Sequence, residues 1–281
     1  MKKAKKILSW LLLAAALVFL GLSARQLMGY HREAEATEKA KALAQIPPEA
    51  LEPAPQVTRP DSSAPPIQTV PGNSSVDAVW SEPLAENALF LLDVNLDALR
   101  EENPEVIGWI CIPGTKLSYP LMQGKDNSYY LKRAWDGSKS AAGSIFMEHR
   151  NSPSLLDFNT IVYGHHMANG SCFAPLVQYR SYSFRQENPW VYIVTDTDVR
   201  RYEIFSAYEA PIDSDTYRMN FGNDTKKQAA LDHYIQSSLW YAPNTPEANS
   251  YIITLSTCVG NGDYDNRFVV QGMLTGIFLR A

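Results

Sequence analysis

The chain has 281 residues, with 25 basic and 30 acidic side chains and a formal charge of −5. At 45% hydrophobic and 20% charged it can build a core, which excludes wholesale disorder and a polytopic membrane protein. The weak acidity gives no general attraction to nucleic acid. Three cysteines form an odd set, so at least one thiol is free or paired outside the chain.

Residues 1–6 hold four lysines, and an apolar run follows over 7–22. Extended to residue 24, that run is about 18 residues, or about 27 Å of helix, enough to span a bilayer with its flanking lysines snorkelling. The leading lysines place the N-terminus in the cytoplasm and the remainder outside. A cleaved signal peptide, with Gly21-Leu22-Ser23 as its small-x-small site, is the rival reading, and it exports the remainder too. Residues 26–45 are charged and alanine-rich and predict a helical stalk. Eight prolines between 47 and 71 then predict an extended tether. The chain thus divides into an anchor (1–24), a stalk and proline-rich linker (25–78), and a folded domain (79–281).

Within that domain, Leu89, Leu92, Leu96 and Leu99 repeat at helical spacing and predict a helix over 84–101, stopped by Asn103-Pro104. Residues 106–112 read as a strand ending at Pro113-Gly114, and 144–147 and 159–163 as two more. Residues 171–179 read as a short helix. Strands over 190–195 and 201–208 form a hairpin about Asp196-Thr197-Asp198. Asp224 or Thr225 caps a helix running to about residue 240, with Leu231, Ile235 and Leu239 inward. Strands over 251–256 and 268–278 close the chain. The strands lack regular helical crossovers, which argues for a mostly-β barrel or curled mixed sheet over a doubly wound one.

There is no glycine-rich phosphate loop, HExxH, EF-hand loop, CxxC pair or GxSxG elbow. Three residues remain that can carry chemistry. Cys258 ends a strand before the polar loop Gly260-Asn261-Gly262-Asp263, where a thiol is partly exposed on fixed backbone. The plain alternative is a buried core cysteine, the reading given to Cys111 and Cys172. His165 follows a strand and Gly164, which permits a sharp change of direction toward a groove. It is either a proton donor and acceptor or a structural histidine. A zinc site of His165 and His166 with His149 and Cys258 has suitable ligand types but no compact zinc spacing. Arg267 opens the last strand and suits a carbonyl oxygen gaining charge; it equally suits an ion pair with Asp263 or Asp265. Either aspartate could also orient His165.

Together, TLSTC at 254–258 with Arg267 beyond it, YGHHM at 163–167, NPEVIGWICIPGT at 103–115 and YPLMQGKDNSYYL at 119–131 resemble class B sortases. These are membrane-anchored cysteine transpeptidases of Gram-positive bacteria. The resemblance covers about residues 89–279. It implies a closed eight-stranded β-barrel with an N-terminal helix and an additional helix before the cysteine-bearing strand. It places the nucleophile on Cys258, the histidine on His165 and the arginine on Arg267. Ser256, Thr257, His166, Asp263 and Asp265 become candidates for binding substrate or orienting the site. The implied substrate is a surface or pilin protein with a C-terminal sorting signal, NPxTx- or LPxTG-like, cleaved after threonine through a thioacyl enzyme. The accepting amine belongs to a peptidoglycan precursor or a pilin lysine. No metal or organic cofactor is required, and no nucleic acid is involved. Two other classes fit the loose constellation: an extracellular Cys-His peptidoglycan peptidase and a non-catalytic surface-binding barrel.

Overall fold

The computed structural model describes residues 2–51, 83–259 and 265–280. Eight strands close into a barrel: β1 (Val106–Cys111), β2 (Ser118–Met122), β3 (Ile145–Met147), β4 (Asn159–Tyr163), β5 (Trp190–Val194), β6 (Asp198–Pro211), β7 (Ile252–Cys258) and β8 (Asn266–Leu279). Around the barrel the order is β1-β2-β3-β4-β7-β8-β6-β5. The β2–β3 and β4–β7 pairs are parallel and the others antiparallel. Closure leaves no free sheet edge. The interior is filled by Ile110, Leu121, Ile145, Val162, Ile193, Ile204, Ile253, Leu255 and Val270, among others.

Two covers lie outside the barrel. The helix α4 (Asp224–Ser237) buries Ala230, Leu231 and Tyr234 against Phe205, Tyr208, Ile252 and Val269. Its cap is Asn223, whose side chain accepts from the Lys226 N–H at 3.0 Å, one residue before the predicted pair. The helix ends at Ser237, so Leu239 is exposed instead of inward. The second cover lies over β1, β2 and β5. It is built from the segment expected as one helix over 84–101, which is broken. Residues Glu86–Asp93 form a 3-10 helix and α2 spans Leu96–Arg100. Val94 is extended between them, and Asn95 caps α2 by accepting from Ala98 N–H at 3.1 Å. The tighter winding turns Leu91 inward and leaves Leu89 about half exposed. Strand β2 was not anticipated as a strand, because its proline hides the pattern; Pro120 sits opposite Trp109. The short helix α3 (Tyr182–Glu187) was also missed, and the expected helix at 171–179 is a 3-10 helix over Ala174–Arg180.

The N-terminal helix α1 (Lys2–Leu43) merges the apolar run and the charged stalk into one element. Its stretch from residue 10 is apolar enough to cross a membrane, with mean hydropathy 1.9 over its best window. Its last turns do not stand clear of the barrel. Ala40 and Ala44 are fully buried, as is most of Ile46, among Leu91, Leu99, Trp109 and Trp135. The Trp135 indole donates to the Ala36 carbonyl at 2.8 Å, and Asn95 N–H donates to the Ala44 carbonyl at 3.1 Å. The end of the expected stalk is therefore a wall of the second cover. Most of the proline-rich stretch lies outside the described residues.

This burial sets an expectation. A chain starting at residue 47 should lose about 2 kcal/mol or more of stability against one starting at residue 26, since several apolar contacts go with the helix end. Urea unfolding followed by circular dichroism checks it, and equal midpoints would contradict the docking.

Candidate active site

Register brings the three chemical residues together. Strands β4 and β7 run parallel, with Tyr163 opposite Ser256. Two residues past each partner come His165 and Cys258, so the two leave the barrel side by side. Gly164 donates its N–H to the Ser256 carbonyl at 3.2 Å, which extends the pairing by one step. A Cβ on Gly164 would stand 2.6 Å from the Phe173 ring, so this close approach needs glycine. On the other side, Cys258 pairs directly with Arg267 across the antiparallel β7–β8 ladder. Directly opposed residues place their side chains on one face. Alternation along β7 puts Ile253 and Leu255 in the barrel interior and Thr254, Ser256 and Cys258 on its outer surface.

The Cys258 thiol and the His165 imidazole face each other closely enough for a hydrogen bond to couple their protons. That bond lowers the Cys258 pKa, partial burial opposes it, and the Arg267 charge lowers it further. The same bond raises the His165 pKa against desolvation. The Leu131 carbonyl, 2.8 Å from Nε2, adds to the rise and Arg267 works against it. A carbonyl only accepts, so Nε2 carries a proton. Both shifts favour thiolate beside imidazolium, the reactive form of a cysteine nucleophile. Cys111 and Cys172 differ: both are free thiols buried in the fold, and burial pushes each up to about 12.

The remaining candidates divide. Ser256 shares the Cys258 face, and its hydroxyl is 3.0 Å from that of Tyr217. Thr257 lies on the opposite face of β7, buried, with its Oγ1 lacking a hydrogen-bond partner. The backbone of His166 bridges to Cys172, and its Nδ1 is buried without a hydrogen-bond partner. Asp265 is exposed just before β8, and its carbonyl accepts from Ile212 N–H at 3.0 Å. Asp263 lies outside the described residues. His149 sits 2.9 Å from Glu148 and near Asn127. Among the described residues no three His, Cys, Asp or Glu side chains cluster as a metal site.

Sequence reasoning missed a polar support behind these residues. Glu148 is almost wholly buried; burial raises its pKa, but hydrogen bonds from Arg150, Asn127 and Tyr163 outweigh this and hold it low. The Tyr163 hydroxyl donates to Glu148 at 3.1 Å, and the Tyr163 ring stacks on Tyr217, centroids 6.4 Å apart. Tyr217 feels the charges of both Cys258 and Arg267. Nothing local in the sequence marks these residues, since they meet only through barrel closure. The tyrosine of YGHHM was the one visible sign.

A family model of the Sortase domain matches residues 110–275. Sortase B of Listeria monocytogenes is 37% identical over 177 residues, 63% of this chain and 72% of that protein. The structure of a Staphylococcus aureus sortase B-substrate complex superposes with a TM-score of 0.61 at 31% identity, covering 64% of this chain and 84% of that one. Sortase B from B. anthracis gives 0.65 at 27% identity, covering 88% and 98%.

The electrostatics give a pH expectation. Arg267 lowers both the Cys258 and the His165 pKa. In Arg267→Ala the rise of Cys258 alkylation by iodoacetamide should therefore move to higher pH. Rates measured from pH 5 to 10 check it; an unmoved curve would mean that Arg267 does not reach the thiolate.

Proposed function

The chain belongs to the sortase family, in its class B, whose members are cysteine transpeptidases that cleave a sorting signal, and we propose how its own residues carry that reaction. Cys258 is the nucleophile, His165 the proton carrier and Arg267 the electrostatic partner. What supports this is the register: parallel β4–β7 pairing and the direct Cys258–Arg267 pair converge on one spot of the outer surface.

The sorting signal lies along that surface with its threonine carbonyl at Cys258. The thiolate attacks the carbonyl carbon, and the oxygen takes the negative charge. Arg267 faces the same spot and can donate to that oxygen or to the substrate backbone. A fixed donor of this kind is worth about 10²–10³ in rate. As the C–N bond breaks, His165 gives its proton to the leaving amine, and a thioester remains on Cys258. An incoming amine then attacks the thioester, now-neutral His165 takes its proton, and the thiolate leaves as the new amide forms. Water in place of the amine gives hydrolysis as a side reaction.

The signal we assign is NPxTx-like, with LPxTG-like sequences the alternative, on a surface or pilin protein. The acceptor is an amine of a peptidoglycan precursor or of a pilin lysine. The apolar part of α1, residues 7–24, anchors the chain, with the N-terminus cytoplasmic and the barrel outside. The helix past residue 24 connects the anchor to the catalytic domain and ends within that domain's cover, beside the barrel formed by residues 79–281. A peptidoglycan peptidase would more naturally set its cysteine at a helix start, whereas Cys258 ends a strand.

Cys258→Ala should abolish the thioacyl adduct formed with a sorting-signal peptide library, read by mass spectrometry; retained transfer would overturn the mechanism. His165→Ala should cut transfer by about 10²–10⁴, while His166→Ala stays within a few-fold. Equal losses in the two would undo the assignment of the proton carrier.

A further inference from the structure

Helix α1 presents Ala36, Ala40 and Ala44 to the barrel, small residues that allow close approach. One turn earlier on the same face stands Glu33, 7% exposed. A buried carboxylate is costly unless it is paired. Its partners come from one place, the loop that follows β4. Asn169 Nδ2 donates to Glu33 at 3.3 Å, and the Cys172 thiol lies 3.9 Å from the other carboxylate oxygen.

That loop is the one that carries His165. It is closed by Phe173 N–H donating to the His165 carbonyl at 2.9 Å and by the backbone bridge between His166 and Cys172. Cys172 has a φ of 53°, a left-handed conformation that a side chain other than glycine's adopts only when its surroundings impose it. Those surroundings are Glu33 on the thiol side and the Tyr119 hydroxyl, which accepts from the Cys172 N–H at 3.0 Å. Helix α1 itself is fixed one turn on by the Trp135–Ala36 bond and by the Lys39–Glu102 ion pair.

We propose that Glu33 is a positioning residue for the reaction: through Asn169 and Cys172 it holds the His165 loop, and so sets the imidazole against Cys258 from the helix that enters the apolar run. This rests on the reading of His165 and Cys258 as the reacting pair. Misplacing a reacting group by about 1 Å can cost up to 10²-fold, and a loop freed at one of its two supports should lose less.

The test uses the full-length chain in detergent micelles and iodoacetamide as the probe, with the Cys258 adduct followed by mass spectrometry at pH 7. The readout needs no knowledge of the sorting signal. Glu33→Ala and Asn169→Ala should each slow alkylation about tenfold, toward the floor set by His165→Ala. Glu33→Gln keeps an acceptor oxygen for Asn169 and should recover most of the rate. A rescue of this kind separates positioning from mere filling of space. Full-rate alkylation in both Glu33→Ala and Asn169→Ala would overturn the proposal. So would a slow Glu33→Ala that has lost its folded circular dichroism signal while Asn169→Ala, which also gives up its bonds from Ser171, reacts at full rate. If His165→Ala itself alkylates at the unmodified rate, it is the underlying pair that fails and not the Glu33 link.

Discussion

The parallel pairing of β4 with β7 is the constraint on which the site depends. A parallel ladder moves both strands in the same direction, so residues equally far past a matched pair emerge together. Tyr163 and Ser256 are such a pair, and His165 and Cys258 are the next outward-facing residues beyond them. A slip of one residue would turn Cys258 into the barrel and its apolar neighbour out. The antiparallel strand β8 then supplies Arg267 from the opposite flank. Three residues separated by up to 102 positions meet because two ladders share one strand.

Behind that corner the fold spends polar groups to keep the strands in register. Asn159, at the start of β4, accepts from the Thr254 hydroxyl at 2.7 Å and donates to the carbonyls of Thr216 and Arg218. Gln271 of β8 donates in turn to Thr254 at 3.0 Å. These bonds tie β4, β7, β8 and the connection after β6 into one unit. The loop bearing Tyr217 is thereby fixed beside Ser256 and Cys258. Buried networks of this kind specify a unique arrangement to the extent that their members are satisfied; here Gln271 Oε1 alone of the named groups lacks a partner. Glu148 does the same work from β3's side, gathering Tyr163, Arg150 and Asn127.

Much of this was legible, because it is local. A short apolar run revealed β4, alternation revealed the β5–β6 hairpin, and the position of Cys258 at a strand end followed from the alternating residues before it. What was hidden depended on contacts between distant segments. Strand β2 was obscured by Pro120, and the break at Val94-Asn95 by leucines whose spacing fits an unbroken helix. Tyr217 and Glu148 carry no local signature at all; only closure of the barrel delivers them to the site. Glu33 looked like one more charge on a stalk, since nothing in the helical pattern distinguishes a solvated glutamate from one pressed against a loop.

Helix α1 also changes what the proline-rich stretch can do. The Ala50 carbonyl accepts from Gly114 on one side of residues 52–82, and Leu84 is buried in the same cover on the other. Both ends of that stretch stand on the barrel, so its length governs neither the height nor the heading of the catalytic corner. With the apolar run in a bilayer, those are governed by the uninterrupted helical turns between Ala24 and Glu33, about 14 Å. Such an anchor would mount the catalytic domain on a bracket instead of a leash, at a fixed height above the lipid.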